Sequence, residues 1–270
     1  MMWLGEQINQ KGIGNGISIL LFAGIVARLP YTGEQLWSYI SMANSDSSLA
    51  KYYVLAPLWI VLFLAVIWVI VFMNEAERRI PIQYAKRVVG RKMYGGQSSH
   101  MPIKVGMSGV MPVIFASSIL SIPSTIQLFM GSSVQGFWKG FFDAFSSTGW
   151  LYSILYFILI LMFAYFYMSI QYNPLEMANN LRQNNGMIPG IRPGKPTADF
   201  IAKILSKLTL IGALFLAVIA LVPIIYGNLA DMSNMSMGGT SIIIMVGVAL
   251  ETVKQLESQM MMRHYKGFLD

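Results

Sequence analysis

Residues 55–73 read Leu55-Ala-Pro-Leu-Trp-Ile-Val-Leu-Phe-Leu-Ala-Val-Ile-Trp-Val-Ile-Val-Phe-Met73, a run without one charged side chain. A helix that crosses the hydrocarbon of a bilayer needs roughly 20 such residues, and it must satisfy its own backbone there. Four more uncharged runs follow, at 108–130, 144–175, 208–230 and 232–250. A sixth, 12–27, stops at Arg28 and continues as LPYTGEQLW. It spans if the Arg28 side chain snorkels to the interface. Only 11% of the 270 residues are charged and 55% are hydrophobic, against about 25% charged in an ordinary soluble domain. That is too little charge for a water-facing surface, so the expected solvent is a membrane. The opening MMWLGEQINQKG lacks the basic start and apolar core of a cleavable signal peptide.

Charge then orders the spans. Between the second and third lie Arg78, Arg79, Lys86, Arg87, Arg91, Lys92 and Lys104. Between the fourth and fifth lie Arg182, Arg192, Lys195, Lys203 and Lys207. Two spans separate these loops, so they share one side, and Lys11, Lys254, Arg263 and Lys266 fall there too. Only Arg28, Lys51 and Lys139 face the other side, and the excess of cations predicts that the basic side is cytoplasmic. The net charge of +7 therefore has a topological explanation that needs no nucleic acid. Twelve cations in two loops nevertheless exceed what orientation requires. An acidic cytoplasmic partner, protein or ribosomal RNA, stays open.

Inside the five long runs there is no Asp, Glu, Lys, Arg or His. Ion-coupled transporters and pumps keep such groups at mid-membrane to bind substrate or relay protons. Aspartyl, metal and serine intramembrane proteases need an acid, ligands or a base at depth. The chain has no cysteine, and His100 and His264 have no carboxylate cluster beside them. No metal, cofactor or enzymatic activity is expected. The third run stands apart: Ser117, Ser118, Ser121, Ser124 and Thr125 are interleaved with Pro112 and Pro123. Small hydroxylated residues allow close helix packing, and proline loosens the backbone ladder. Either a tightly packed internal helix or a helix that moves fits this pattern.

The first basic loop, 75–107, carries Ile80, Ile82 and Tyr84 in strand alternation, with SSHMPIKV as a second extended segment. A hairpin with its tip near 90–96 is expected, its strands held at sheet edges by Pro81 and Pro102. In the second loop Asn173, Pro174 and Glu176 make a helix start. The helix should run to about Asn184 and stop at Gly186. There the chain reads NNGMIPGIRPGKPT, residues 184–197. Its three prolines fix φ, so Arg192 and Lys195 are held out with little freedom to lose on binding. Such stiffness suits a docking surface better than a connector.

Five segments carry a resemblance: WLGEQINQKGIGNGISILLFAGIVARLP, ERRIPIQYAKR, PVIFASSILSIPSTI, NPLEMANNLRQNNGMIPGIRPGKPT and GGTSIIIMVGVALETVKQLESQMMMRHYKGF. Together they resemble the SecY family, the channel subunits of bacterial protein translocases, over essentially the whole chain. The resemblance implies an all-α polytopic membrane protein of six transmembrane helices with a cytoplasmic β-hairpin-like loop. It would be the second half of the family's inverted-repeat fold, from the end of helix 4 through helix 10. Residues 1–54 would hold the end of helix 4, a cytoplasmic loop, helix 5 and an outer loop. Residues 55–270 would hold helices 6–10, with spans near 55–74, 108–130, 150–172, 205–227 and 239–257 and cytoplasmic loops 75–107 and 173–203.

Carried over residue by residue, the family's pore ring falls on Leu21, Ile25, Ile114 and Ile244. Bulky aliphatics there close a constriction without offering polar groups that would retain a passing chain. The lateral gate falls on Ser117, Ser118, Ile122 and Thr125. Docking of the SecA motor or the ribosome falls on Arg78, Arg79, Lys86, Arg87, Arg192 and Lys195. The resemblance implies passage of unfolded secretory polypeptides and lateral release of membrane segments. Implied partners are SecE, SecG, SecA, the ribosome, the nascent chain and membrane lipid, in the bacterial inner membrane. No counterpart of the family's helices 1–3, most of helix 4, or the plug is found. The chain is expected to be a portion that needs the N-terminal half of SecY. The alternative function is a small-solute secondary transporter, and a weaker one an inert scaffold that binds ribosomes. Contact of an unfolded polypeptide with Ile114 and Ile244 discriminates them.

Overall fold

The computed structural model describes residues 2–12, 15–45, 50–84, 87–89, 92–94, 98–106, 109–130, 140, 145, 149–230, 232 and 238–266. The first helices among these are α1 (Met2–Lys11), α2 (Gly16–Val26), α3 (Leu29–Ser45) and α4 (Tyr52–Glu75). Four strands follow: β1 (Glu77–Tyr84), β2 (Arg87–Val89), β3 (Lys92–Tyr94) and β4 (Ser98–Lys104). Then come α5 (Met111–Met130), α6 (Trp150–Gln171), α7 (Pro174–Gln183), β5 (Gly186–Met187), α8 (Lys195–Leu229) and α9 (Gly239–Lys266). Six helical stretches are long and apolar enough to cross a membrane: Gly16–Asn44, Tyr52–Glu75, Met111–Met130, Trp150–Gln183, Lys195–Leu229 and Gly239–Met261. The six spans expected from the sequence are thus borne out.

Their limits differ from the uncharged runs for local reasons. At 1.5 Å per residue α2 is about 16 Å long, half of a roughly 30 Å hydrocarbon layer. The chain turns at Ala27 and Arg28 and resumes as α3, so the first stretch reaches Asn44 rather than ending at residue 27. The 208–230 run lies within a helix that already starts at Lys195. Charge marks where hydrocarbon begins, but a helix continues past that point wherever its next turns find something to pack on.

The chain divides into two compact units. One comprises Met1–Phe72, Met130–Ser153 and Val218–Asp270. Here Leu36 and Ala43 of α3 are buried with Tyr52, Ala56 and Trp59 of α4 and with Ala230 and Met232. The Tyr226 hydroxyl at the end of α8 donates to the Leu55 carbonyl at 2.6 Å. Asn15 caps α2 by accepting from the Ile17 and Ser18 amides, and α2 packs on α9.

The other unit comprises Met73–Phe129 and Ile154–Ala217. Its sheet has the order β4-β1-β5, both pairings antiparallel, with Glu77 opposite Lys104 and Gln83 opposite Ser98. The expected hairpin is therefore present, with β2 paired to β3 beyond it. Its tip, expected near 90–96, lies largely outside the described residues, as do Lys86, Arg91 and Lys139. The edge assignment of Pro81 is corrected: β1 is the central strand. The proline is tolerated because β5 reaches only Gln83 and Tyr84, leaving Pro81 with a strand partner on the β4 side alone. Ile80 and Ile82 are buried as the alternation predicts, whereas Tyr84 is exposed. They close a core with Ile103, with Ala178 and Leu181 of α7, with Ile188, and with Ala198, Ile201, Leu205 and Leu208 of α8.

Candidate functional site

Three groups of residues are candidates, and local chemistry positions each. The first is the basic face. Asn173 accepts from the Leu175 and Glu176 amides, Pro174 needs no amide partner at the helix start, and α7 follows as the sequence predicts. It ends at Gln183 with Asn184 as its C-cap, as expected, but the stop is not Gly186: Asn185, at φ 54°, takes the left-handed turn, and Gly186 pairs with Tyr84 in the sheet. Asparagine tolerates that conformation better than most residues, which frees the glycine for a place where a side chain would crowd Ile82, Leu181 and Tyr84, each at 3.2 Å. This pairing joins the two basic loops in one sheet. Nothing in the two-residue segment Gly186–Met187 signals a strand by periodicity, so it was not legible in advance.

The segment after β5 is anchored at both ends. Ile188 is buried on one side and Thr197 and Ala198 on the other. Gly190 and Gly194 adopt φ of +81° and +107°, a region that strains other residues. The Thr197 hydroxyl donates to the Arg192 carbonyl at 2.9 Å, and the Thr197 and Ala198 amides donate to the Gly194 carbonyl at 3.1 Å. Arg192 and Lys195 both project as exposed side chains. The prolines signalled the stiffness; the Thr197 contact was not legible, because its hydroxyl reaches out of the helix to a carbonyl five residues back. On β1, Arg78 and Arg79 are exposed and, one residue apart, point to opposite faces of the strand. Arg79 is held by Glu77 through a 2.7 Å ion pair. The side chain of Arg87 is outside the described residues.

The second group is aliphatic. Leu21 and Ile25, four apart on α2, share a helix face; Leu21 is exposed and Ile25 half-buried against the α3–α4 cluster. Ile244 is half-buried on α9, the helix against which α2 packs. These three belong to one unit. Ile114, half-buried near the start of α5, belongs to the other.

The third group is the hydroxyl face of α5. Ser118, Ile122 and Thr125 are exposed and Ser117 half-buried. The Ser117 and Ser118 hydroxyls both donate to the Ile114 carbonyl, at 2.9 and 2.7 Å. Ser121 donates to the Ser118 carbonyl and Thr125 to the Ser121 carbonyl. Each hydroxyl proton is thus satisfied within the helix, which lets a polar face sit on an apolar span at low cost.

The SecY family model matches residues 1–253. The chain is 44% identical over 278 residues to the protein translocase subunit SecY of Mycobacterium leprae, covering all of this chain and 61% of that protein. It is 46% identical over 271 residues to the SecY subunit of Halalkalibacterium halodurans, covering 62% of that protein. The chain thus spans about three-fifths of the length of these relatives. Among solved structures, it is similar to one described as a protein conducting channel, with TM-score 0.62, 22% identity, and 94% of this chain and 61% of that one covered. A second, concerning the plug domain of the SecY protein, has TM-score 0.61, 20% identity, and 95% and 62% covered. With six stretches fit to span a bilayer and relatives of this kind, the protein is a multi-pass membrane protein. Its fold is that of the solved SecY channels, and the chain belongs to the SecY family.

Proposed function

We propose that this chain is the C-terminal portion of a protein-conducting channel, from the end of helix 4 through helix 10 of the family. It would pass unfolded secretory polypeptides across the bacterial inner membrane and release membrane segments sideways. The observation that carries this reading is the family match over residues 1–253. Leu21, Ile25, Ile114 and Ile244 form its part of the pore ring, and dispersive contacts alone let them close around a chain without holding it. Ser117, Ser118, Ile122 and Thr125 line its side of the lateral gate. The basic loops face the cytoplasm, where Arg78, Arg79, Lys86, Arg87, Arg192 and Lys195 receive SecA or the ribosome. SecE, SecG and the N-terminal half of SecY complete the assembly, and the chain performs no catalysis of its own. A small-solute secondary transporter is not favoured, because the five long apolar runs hold no Asp, Glu, Lys, Arg or His.

The test is site-specific photocrosslinking from Ile114, and separately from Ile244, to a stalled secretory chain. It is run with and without a co-expressed N-terminal half of SecY. Crosslinks at both positions when the halves are together are expected. Their absence in that arm, with both halves inserted in the membrane, would overturn the channel reading.

A further inference from the structure

The buried stripe of α8 runs Ala198, Ile201, Leu205 and Leu208, spaced alternately three and four apart, and its next position is Gly212. The first four carry the sheet and α7. At the fifth, where an apolar side chain would continue the pattern, the backbone of Val105 crosses instead. A Cβ on Gly212 would lie 2.7 Å from the Val105 carbonyl oxygen. Val105 is held from its other side as well: its amide donates to the Ala76 carbonyl at 2.9 Å, one step past the β1–β4 ladder. Next to it Gly106 faces Asn74, whose side-chain oxygen would be 3.2 Å from a Cβ there. The segment leading from β4 into α5 is therefore clamped between the end of α4 and the side of α8. Both basic loops are fixed to the same frame, one through β1 and β4, the other through Thr197 at the head of α8 and the β5–β1 pairing.

We propose that Gly212 is a positioning residue: the close approach of Val105 to α8 passes load from the exposed basic loops to α5. This inference rests on the channel reading, in which those loops dock a cytoplasmic partner and α5 is the gate helix. Glycine is required because the obstacle is a backbone oxygen, which no rotamer change moves aside. Docking itself uses other residues, so a Gly212 variant separates coupling from binding.

The test measures amide hydrogen exchange of α5 in the membrane-embedded complex with the N-terminal half of SecY, SecE and SecG, before and after adding purified SecA. In the parent protein SecA is expected to protect the basic loops and to shift exchange along α5. Gly212→Ala is expected to keep the loop protection and lose the α5 shift. Leu208→Ala, which loosens the same stripe but adds no atom between Gly212 and the Val105 carbonyl, is expected to keep both. Inserting two glycines after Gly106 keeps Gly212 and lengthens the link to α5; it too is expected to lose the α5 shift alone. An α5 shift that survives both Gly212→Ala and the insertion overturns the proposal, as does equal loss in Leu208→Ala. If Gly212→Ala fails to fold, the insertion decides by itself. No loop protection by SecA in the parent protein would instead count against the docking assignment, a distinguishable failure.

Discussion

At the scale of the residue, side chains that are absent matter as much as those present. Gly239 opens α9 where a Cβ would meet the Ala220 Cα at 2.6 Å and the Ile219 and Ala220 carbonyls at 2.7 Å. Backbone atoms cannot rotate away, so Gly239→Ala should destabilise the α8–α9 crossing by about 1–3 kcal/mol, the usual scale of overpacking. A lowered thermal transition in detergent, compared with Gly24→Ala, where nothing lies within 4 Å of the new Cβ, is the measurement. Arg192 is the opposite case, an exposed cation on a rigid support. Arg192→Glu should weaken binding of SecA or ribosomes to the basic face and leave membrane insertion unchanged. Co-sedimentation with membranes reads the first and protease protection the second; unchanged binding would remove this segment from the docking surface.

At the scale of the element, capping and packing decide where helices begin and end. The Asn173-Pro174 start of α7 is local chemistry, legible in the sequence and realised in the structure. Asn173→Ala removes the acceptor for two amides and should cost about 1 kcal/mol of helix stability. Faster hydrogen exchange confined to the first turn of α7 would register that loss, while unchanged exchange would mean that tertiary packing alone fixes the helix start. The α8 start shows the limit of charge as a boundary marker. Lys203 and Lys207 interrupt the apolar run, yet they point outward from a helix whose other side is buried from Ala198 to Leu208. Strand β5 marks a second limit: two residues carry no period, and only β1 beside them makes them a strand.

For the whole molecule, the channel reading predicts that this chain and the N-terminal half of SecY crosslink a secretory chain only together. Crosslinks from this chain alone would mean that it forms a translocating path unaided. The number of spans, the two basic loops, the hairpin and the rigid Arg192 segment were determined by the sequence itself, because each rests on local features: hydropathy over one helix length, charge between runs, strand alternation, and proline and capping chemistry. The tertiary structure alone decided that Gly186 belongs to a strand, that β1 is central despite Pro81, and that Val105 crosses α8 at Gly212. Those features depend on which distant backbone arrives beside a residue, and neither composition nor periodicity encodes the neighbour.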